Sequence, residues 1–350
     1  MDKTLRYITE NTAVLITTPI NRRYLTGFSS SLGYLLMTKR GNKLFVDGRY
    51  FEAAKRYALG TEVELLKNIF EQINGILDKY GVKRLLIETE NEYSDYALFK
   101  RNLKVKVVPS EPLSEKLLTL RSVKKSDEVK SIVEAQRIAE KAFDDILCFI
   151  KAGVTEREIA ALLEYKMKQY GAEGIAFDTI AVSGKNSSLP HGVPTEKPVM
   201  KGDFVTMDFG AVCNGYLSDM TRTVAVGYAS DEMIEVYETV LSAQSSVADT
   251  VRSGVLCSEV DAAARQVIEK AGFGNYFCHS TGHGVGLQIH EMPNLSPRAV
   301  ETRLRAGQVV TNEPGIYIPE KFGVRIEDML YVRKNGCKNL TKAPKHLIIL

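Results

Sequence analysis

The sequence predicts a mixed α/β (α+β) protein of two domains, residues 1–120 and 121–350, the second made of two similar halves. Three observations predict this. Short apolar runs alternate with helical patterns as far as about residue 118, a polar join follows at 119–128, and beyond it a succession of helices, strand and acid-bearing hairpin occurs twice. A chain of 350 residues with 44% hydrophobic and 25% charged content has an ordinary globular balance and the length for two cores.

In the first domain the apolar runs 13–16, 34–37, 44–46, 63–66, 85–87 and 105–108 have the length and composition of strands. Ile69, Ile73, Ile76 and Leu77 are spaced for one face of a helix over 68–80, and Gly81 is its stop. This half contains none of the five histidines and no cluster of metal-ligating residues, so a covering or partner-contacting role is expected of it.

The second domain opens with a helix over about 128–151, capped by Ser126 or Asp127, with Ile132, Ala135, Ile138, Ala139, Ala142 and Ile146 on its apolar face. Gly153 ends it, and Thr155-Glu156-Arg157-Glu158 begins another with a capping-box pattern. From here the chain repeats itself. Gly153 and Gly254 are 101 residues apart, as are Ile159 and Val260, and Gly171 and Gly272, so the helix over 155–170 has a counterpart over 258–270. Pro190-His191 and Ile289-His290 match at a spacing of 99, and the strands 202–210 and 307–315 align without a gap at 105. That alignment pairs Thr206 with Thr311, Asp208 with Glu313 and Gly210 with Gly315. Two units related by an approximate twofold, with one concave site between them, are the expected result.

Each unit carries acids on its hairpin. In the first, Asn214-Gly215 suits a two-residue turn, since both positions tolerate positive φ. That turn sets Cys213 opposite Tyr216, Asp208 opposite Thr221 and Asp219 opposite Gly210, so Asp208 and Asp219 project from one face roughly 7–8 Å apart at the backbone. The second hairpin runs out over 307–315 and returns through Val324-Arg325-Ile326-Glu327-Asp328. Carboxylates gathered in an apolar hairpin either raise one another's pKa or share a cation. A solvated sheet face with Arg222 or Arg325 neutralising the acids is the plainer arrangement for one hairpin. Two such hairpins with histidines between them favour the cation.

His191, His279, His283 and His290 lie among these acids, while His346 stands apart and suits a surface position. His279 and His283 have the spacing of a helical zinc pair, but Gly282, Gly284 and Gly286 place His283 in a strand or turn of close backbone approach. Asp208, Asp219, His283, Glu313 and Glu327 together supply four carboxylates and one imidazole. That is too much charge for a single zinc and suits two divalent ions, with manganese, cobalt or iron better matched to oxygen ligands.

Composition excludes other classes. With 46 basic against 43 acidic residues mixed along the chain, there is no electrostatic case for nucleic acid or membrane binding. Cys148, Cys213, Cys257, Cys278 and Cys337 are scattered and odd in number, which argues against a disulfide framework or thiolate zinc site and fits a reducing cytoplasm. Met1-Asp2-Lys3-Thr4 leads into polar residues, and the run 13–16 is too short for a signal peptide or membrane span.

Met207-Asp208-Phe209-Gly210, Ser218-Asp219-Met220-Thr221-Arg222-Thr223, Gly282-His283-Gly284-Val285-Gly286, His290-Glu291-Met292-Pro293, Asn312-Glu313-Pro314-Gly315 and Arg325-Ile326-Glu327-Asp328 jointly resemble a known family. It is the proline-specific branch of the pita-bread (creatinase/aminopeptidase fold) metallopeptidases, comprising Xaa-Pro dipeptidase (prolidase) and aminopeptidase P. The resemblance covers nearly the whole chain, including a creatinase-type N-terminal domain and the join from Leu120 to Glu128.

The resemblance implies two divalent metal ions per subunit, Mn2+ or Co2+ ahead of Zn2+ or Fe2+, with Asp219 and Glu327 bridging, Asp208 on one ion, and His283 and Glu313 on the other. It implies that Glu313 accepts and shuttles the proton of an activated water, that His290 stabilises the oxyanion, and that His191 contacts substrate and assists the leaving nitrogen. By the same resemblance His279 is expected to line the pocket for proline and Arg325 to orient acids or substrate, with Tyr317 a further candidate for substrate contact. The substrates it implies are proline-containing dipeptides or short peptides, and the assembly a homodimer in which the N-terminal domain helps wall the neighbouring cleft. The compact length leans toward the dipeptidase, with aminopeptidase P acting on longer Xaa-Pro-Yaa peptides as the alternative. A methionine aminopeptidase would lack the large N-terminal domain, and creatine-type amidinohydrolysis does not need this ligand set. A non-enzymatic binding module on the same fold tends to lose ligands, and here none is lost.

Overall fold

The computed structural model describes residues 6–350; the residues Met1, Asp2, Lys3 and Thr4, read above for export signals, lie outside the described residues. The chain divides into two compact units, one ending at Arg121 and the other spanning Ser122–Leu350.

The first unit runs β1 (Thr12–Ile16), α1 (Pro19–Thr26), β2 (Gly33–Thr38), β3 (Gly41–Val46), α2 (Phe51–Tyr57), β4 (Glu62–Leu65), α3 (Ile69–Tyr80), β5 (Arg84–Ile87), α4 (Tyr93–Asn102), β6 (Lys106–Pro109) and α5 (Glu111–Ser122). Its strands form one sheet in the order β4-β3-β2-β1-β5-β6, and each expected apolar run falls on a strand, with Leu66 just past β4 and Val105 just before β6. Along β1, Ala13 and Leu15 enter one core while Val14 and Ile16 enter the other, so both faces of the sheet are covered. That is why the run reads as continuously apolar rather than alternating. Helix α3 begins where the Asn68 side chain accepts the N–H groups of Phe70 and Glu71, and it stops at Gly81, whose φ of 65° is left-handed.

The second unit opens with α6 (Ser126–Ile146) and α7 (Glu156–Gln169), followed by β7 (Gly174–Ile175), β8 (Ile180–Ser183), a 3-10 turn (Gly184–Ser188), β9 (Phe204–Phe209), β10 (Ala211–Cys213), β11 (Tyr216–Leu217) and β12 (Met220–Ala225). The order then recurs: α8 (Asp231–Thr250), α9 (Cys257–Lys270), β13 (Gly282–Gly284), β14 (Glu291–Leu295), β15 (Val309–Asn312), β16 (Gly315–Ile318), β17 (Phe322–Arg325), β18 (Asp328–Val332) and β19 (Cys337–Asn339). Each half has its own core. Phe143, Ile159 and Leu163 pack with Met207 and Phe209 in the first, and Val240, Val260 and Ile268 pack with Val310 and Leu330 in the second. Fully burying one such side chain contributes roughly 1.5–3 kcal/mol.

Two helix boundaries differ from expectation. Helix α6 ends at Ile146 instead of 151, and its cap is Lys125, whose N–H donates to Glu128 Oε2 at 2.6 Å; Ser126 and Asp127 are already helical. The Thr155 capping box of α7 forms as expected, with Thr155 Oγ1 accepting from the Glu158 N–H and Glu158 Oε2 accepting from the Thr155 N–H. Among the described residues, no helix is long and apolar enough to cross a membrane.

Both hairpins are broken ladders. In the first, Asn214 and Gly215 turn with φ of 48° and 68°, Cys213 faces Tyr216, and Asp208 faces Thr221. Between β9–β12 and β10–β11 the pairing is interrupted at Gly210, where a Cβ would lie 1.9 Å from the Ser218 carbonyl oxygen. In the second, β15 pairs with β18 and β16 with β17, and the interruption falls at Glu313-Pro314 and Ile326-Glu327. The turn of this hairpin uses Glu320 at a φ of 60° in place of an Asn-Gly pair.

Candidate metal centre

The interruptions deliver the acids. Asp219 and Glu327 sit in the breaks of the two return strands, Asp208 near the end of β9, Glu313 just past β15, and His283 in the middle of β13. A strand normally spends its backbone groups on its neighbours; where the ladder opens, the side chains can converge instead. Strand β13 comes close enough because Gly282 leaves room: a Cβ there would stand 2.2 Å from the Thr311 carbonyl oxygen.

His283 Nε2 lies 3.2 Å from Glu313 Oε1 and 3.6 Å from Asp219 Oδ2. Asp219, His283 and Glu327 each offer a ligand atom within 4.8 Å of the others. Asp219 and Glu327 are buried, at 4% and 1% exposure. Burial raises both carboxyls well above the usual range, and Asp208 and Asp219 respectively add repulsion. Asp208 is raised in the same way, chiefly by burial, against the opposing pull of Arg325. Glu313 behaves differently: burial pushes it up, but the hydrogen bond and charge of His283, joined by His279 and Arg325, together bring it down to about 2. Burial lowers His283, but Glu313 and Asp219 overcome this and raise it to about 9.

This donor set fits divalent cations. Among the described residues, Asp208 Oδ1 and Glu327 Oε1 are buried without a hydrogen-bond partner, an expensive arrangement for a carboxylate unless something cationic meets it. Hard oxygen donors with one imidazole are the chemistry such ions take.

Arg325 neutralises part of the cluster, as one reading of the sequence held. It donates from Nη2 to Asp208 Oδ2 at 2.6 Å, from Nη1 to the Tyr317 hydroxyl at 2.7 Å and the Pro190 carbonyl at 3.2 Å, and from Nε to Thr221 Oγ1 at 2.9 Å. Arg222 does not share that task. Its five N–H groups go to the carbonyls of Thr221, Glu327, Ala343 and Pro344 and to Asp328 Oδ1, all at 2.7–2.8 Å. It therefore fixes the backbone on which Glu327 rides rather than any ligand carboxylate.

The expected histidines gather at the same place. The His290 ring centroid is 4.3 Å from that of His283, and burial, then the charge of His283, lowers its pKa. His279 is held at both ring nitrogens, Nδ1 at 2.8 Å from the Ser280 carbonyl and Nε2 at 2.9 Å from the Tyr317 hydroxyl. A carbonyl can only accept, so Nδ1 carries the proton and Nε2 accepts from Tyr317, whose oxygen in turn accepts from Arg325. His191 is exposed on the segment after the 3-10 turn, near enough to depress the proton affinity of His279 and His290. His346 is exposed, as expected.

Several participants were not anticipated. Thr221 Oγ1 donates to Glu327 Oε2 at 2.6 Å, and Lys124 Nζ pairs with Glu291 Oε1 at 2.6 Å next to His290, both side chains buried. The register that sets Thr221 opposite Asp208 was a usable signal for the first; nothing in the sequence pointed to the second.

Comparison with known proteins agrees with this geometry. Residues 130–334 match the model of metallopeptidase family M24, and residues 10–123 match the creatinase/prolidase N-terminal domain. The Xaa-Pro dipeptidase of Pyrococcus furiosus is 40% identical over 351 residues, covering 99% of each chain. Among solved structures, an Xaa-Pro dipeptidase from Bacillus anthracis superposes with a TM-score of 0.93 at 42% identity, covering 97% of this chain and 95% of that one. An X-Pro aminopeptidase from Thermotoga maritima superposes with a TM-score of 0.92 at 36% identity over the whole of both chains. With an acid and histidine centre at the seam of two repeated halves and these matches across its length, the chain belongs to metallopeptidase family M24, its peptidase domain preceded by a creatinase/prolidase N-terminal domain.

Proposed function

We propose that this metallopeptidase is a proline-specific exopeptidase hydrolysing the Xaa-Pro bond, that it holds two divalent ions, Mn2+ or Co2+, and that it acts as an Xaa-Pro dipeptidase. The observation that carries the reading is the convergence of Asp219, His283 and Glu327 within 4.8 Å, with buried oxygens of Asp208 and Glu327 lacking partners among the described residues. Relatives named for Xaa-Pro cleavage across nearly the full chain support the substrate class.

Asp208, Asp219, His283, Glu313 and Glu327 would hold the ions. When bound, the ions supply Lewis acidity and bring a water molecule's pKa toward neutrality. The chain's own residues do the remainder. Glu313, with Oε1 3.2 Å from His283 Nε2 at the heart of the cluster, is the proton acceptor. His290, its pKa lowered chiefly by burial, is a neutral imidazole able to donate one N–H to an oxyanion. His191 meets the substrate and assists the leaving nitrogen. His279, pinned at both nitrogens and lying 5.1 Å from Phe277 and 5.4 Å from Tyr317 between ring centroids, forms an aromatic wall for a proline ring. Arg325 and Tyr317 hold that wall and Asp208 in register.

Hydrolysis of Ala-Pro against Ala-Pro-Ala tests the assignment. Turnover of the dipeptide alone supports the dipeptidase, preference for the tripeptide supports aminopeptidase P, and no cleavage of either by manganese- or cobalt-loaded protein refutes both. Cytoplasmic location and a homodimer complete the proposal, the first supported by five free cysteines and the second by the family resemblance; light scattering on the purified protein tests the dimer.

A further inference from the structure

Among the fully buried carboxylates outside the centre is one on α7. Glu156, at 0% exposure in the first turn of α7, accepts hydrogen bonds from both ends of the segment that bears His191. At the near end, the Ser183 N–H and hydroxyl reach Oε1 at 2.7 and 3.0 Å, and Asn186 Nδ2 reaches Oε1 and Oε2 at 3.1 and 3.2 Å. At the far end, the Thr195 N–H and hydroxyl reach Oε2 at 3.1 and 2.7 Å. The backbone adds to this closure, the Glu156 N–H donating to Lys197 and the Arg157 N–H to Thr195, each at 3.1 Å. Between those ends the chain has no regular structure beyond the 3-10 turn, and His191 is exposed on it.

We infer that Glu156 is a positioning residue, a carboxylate clamp that closes the 183–195 segment and so fixes where His191 stands over the centre; this rests on the substrate-contacting role proposed for His191. Its two oxygens take donors from both ends at once, Oε1 from Ser183 and Oε2 from Thr195. A Gln at 156 presents one oxygen and one NH2 group, which faces donors it cannot accept from. The second half has a parallel device: buried Asp261 on α9 accepts the Thr281 N–H and hydroxyl at 3.1 and 3.0 Å, two residues before His283. Arg325 and the Gly323 N–H also touch the His191 segment, at Pro190 and Ser187, but neither joins its two ends.

The test compares Glu156→Gln, Thr195→Val, His191→Ala and the Glu156→Gln/His191→Ala double variant in the full-length, metal-loaded protein, with Ala-Pro as substrate and amide hydrogen exchange over 184–195 as a second readout. The expected result is faster exchange in that segment, unchanged metal content, and kcat/KM lowered about 10-fold or more by Glu156→Gln, since small misplacements of a reacting group are costly. In the His191→Ala background the same change costs less than about twofold, because residues acting as one unit are not additive. Thr195→Val gives a smaller loss of the same kind and stands in should Glu156→Gln fail to fold. Unaltered exchange over 184–195, or an equal loss with and without His191, overturns the clamp. Absence of Ala-Pro cleavage by the parent protein sinks the functional reading instead, and the exchange measurement still decides the clamp.

Discussion

Thr221 and Glu327 occupy equivalent positions in the two hairpins and touch: Thr221 Oγ1 donates to Glu327 Oε2 at 2.6 Å. Thr221 faces Asp208 in its ladder, and counting on from the Asn312–Asp328 pair sets Glu327 opposite Glu313. The same Thr221 oxygen accepts from Arg325 Nε at 2.9 Å, so one hydroxyl joins the arginine that serves Asp208 to the carboxylate of the other half.

Thr221→Val removes that hydroxyl at constant shape, leaving Glu327 Oε2 and Arg325 Nε short of a partner. The expected cost is about 1–3 kcal/mol of stability and roughly 10–100-fold in metal affinity. Thermal unfolding and a calorimetric manganese titration measure the two; an unchanged affinity would show that Glu327 does not need this orientation.

Asp219→Ala and Glu327→Ala are expected to abolish metal loading and hydrolysis together, by elemental analysis and Ala-Pro cleavage. His290→Ala keeps its metal and loses roughly 10²–10³ in kcat, the usual effect of removing one oxyanion donor. Full activity of Glu327→Ala would reject the ligand assignment.

The metal-free protein should become less stable as pH rises. Asp219 and Glu327 have raised pKa values in the folded state, chiefly through burial, so their contribution is present below the ordinary carboxylate range and lost as they ionise. His283, raised from 6.5 to about 9 by Glu313 against burial, contributes below pH 6.5 and loses that contribution on the way to 9. Glu313 has the opposite sign, contributing above its ordinary value and losing its contribution as pH falls toward about 2. Between pH 6.5 and 9 the Tm of chelator-treated protein therefore falls, and the stabilisation given by added manganese grows. A metal-free Tm that stays level or rises across that interval would contradict this.

Arg222→Lys keeps one charge but offers three donors where five acceptors wait. A loss of about 3 kcal/mol is expected, since Asp328 and several buried carbonyls are left under-satisfied. Denaturant unfolding reads it; a change below about 0.5 kcal/mol would mean that Lys345, 3.1 Å from Asp328, and water suffice.

What the sequence made legible were features with local causes. The six strands of the first unit were visible because each is an apolar run between breakers, α3 because Asn68 and Gly81 cap it, and the first hairpin's register because Asn214-Gly215 permits one turn. His283 was readable as a residue of a strand or turn because glycines flank it, and the strand is what forms. What stayed hidden depends on distant partners. Glu156 looks like any acid in a first helical turn until Thr195 and Ser183 are folded onto it, Arg222 looks like a neutraliser of nearby acids until Asp328 and Pro344 claim it, and Lys124 gives no sign of Glu291, 167 residues away. The breaks in both ladders were hidden too, because alternation of side chains says nothing about where backbone pairing fails.

The seam between the halves divides the centre unequally. Asp208 and Asp219 belong to one half, and His283, Glu313 and Glu327 to the other, so neither segment alone could have held the complete centre. The register position that carries a carboxylate, Glu327, on one side carries a hydroxyl, Thr221, on the other, and that hydroxyl is the carboxylate's hydrogen-bond donor, so the approximate twofold is broken at the centre itself.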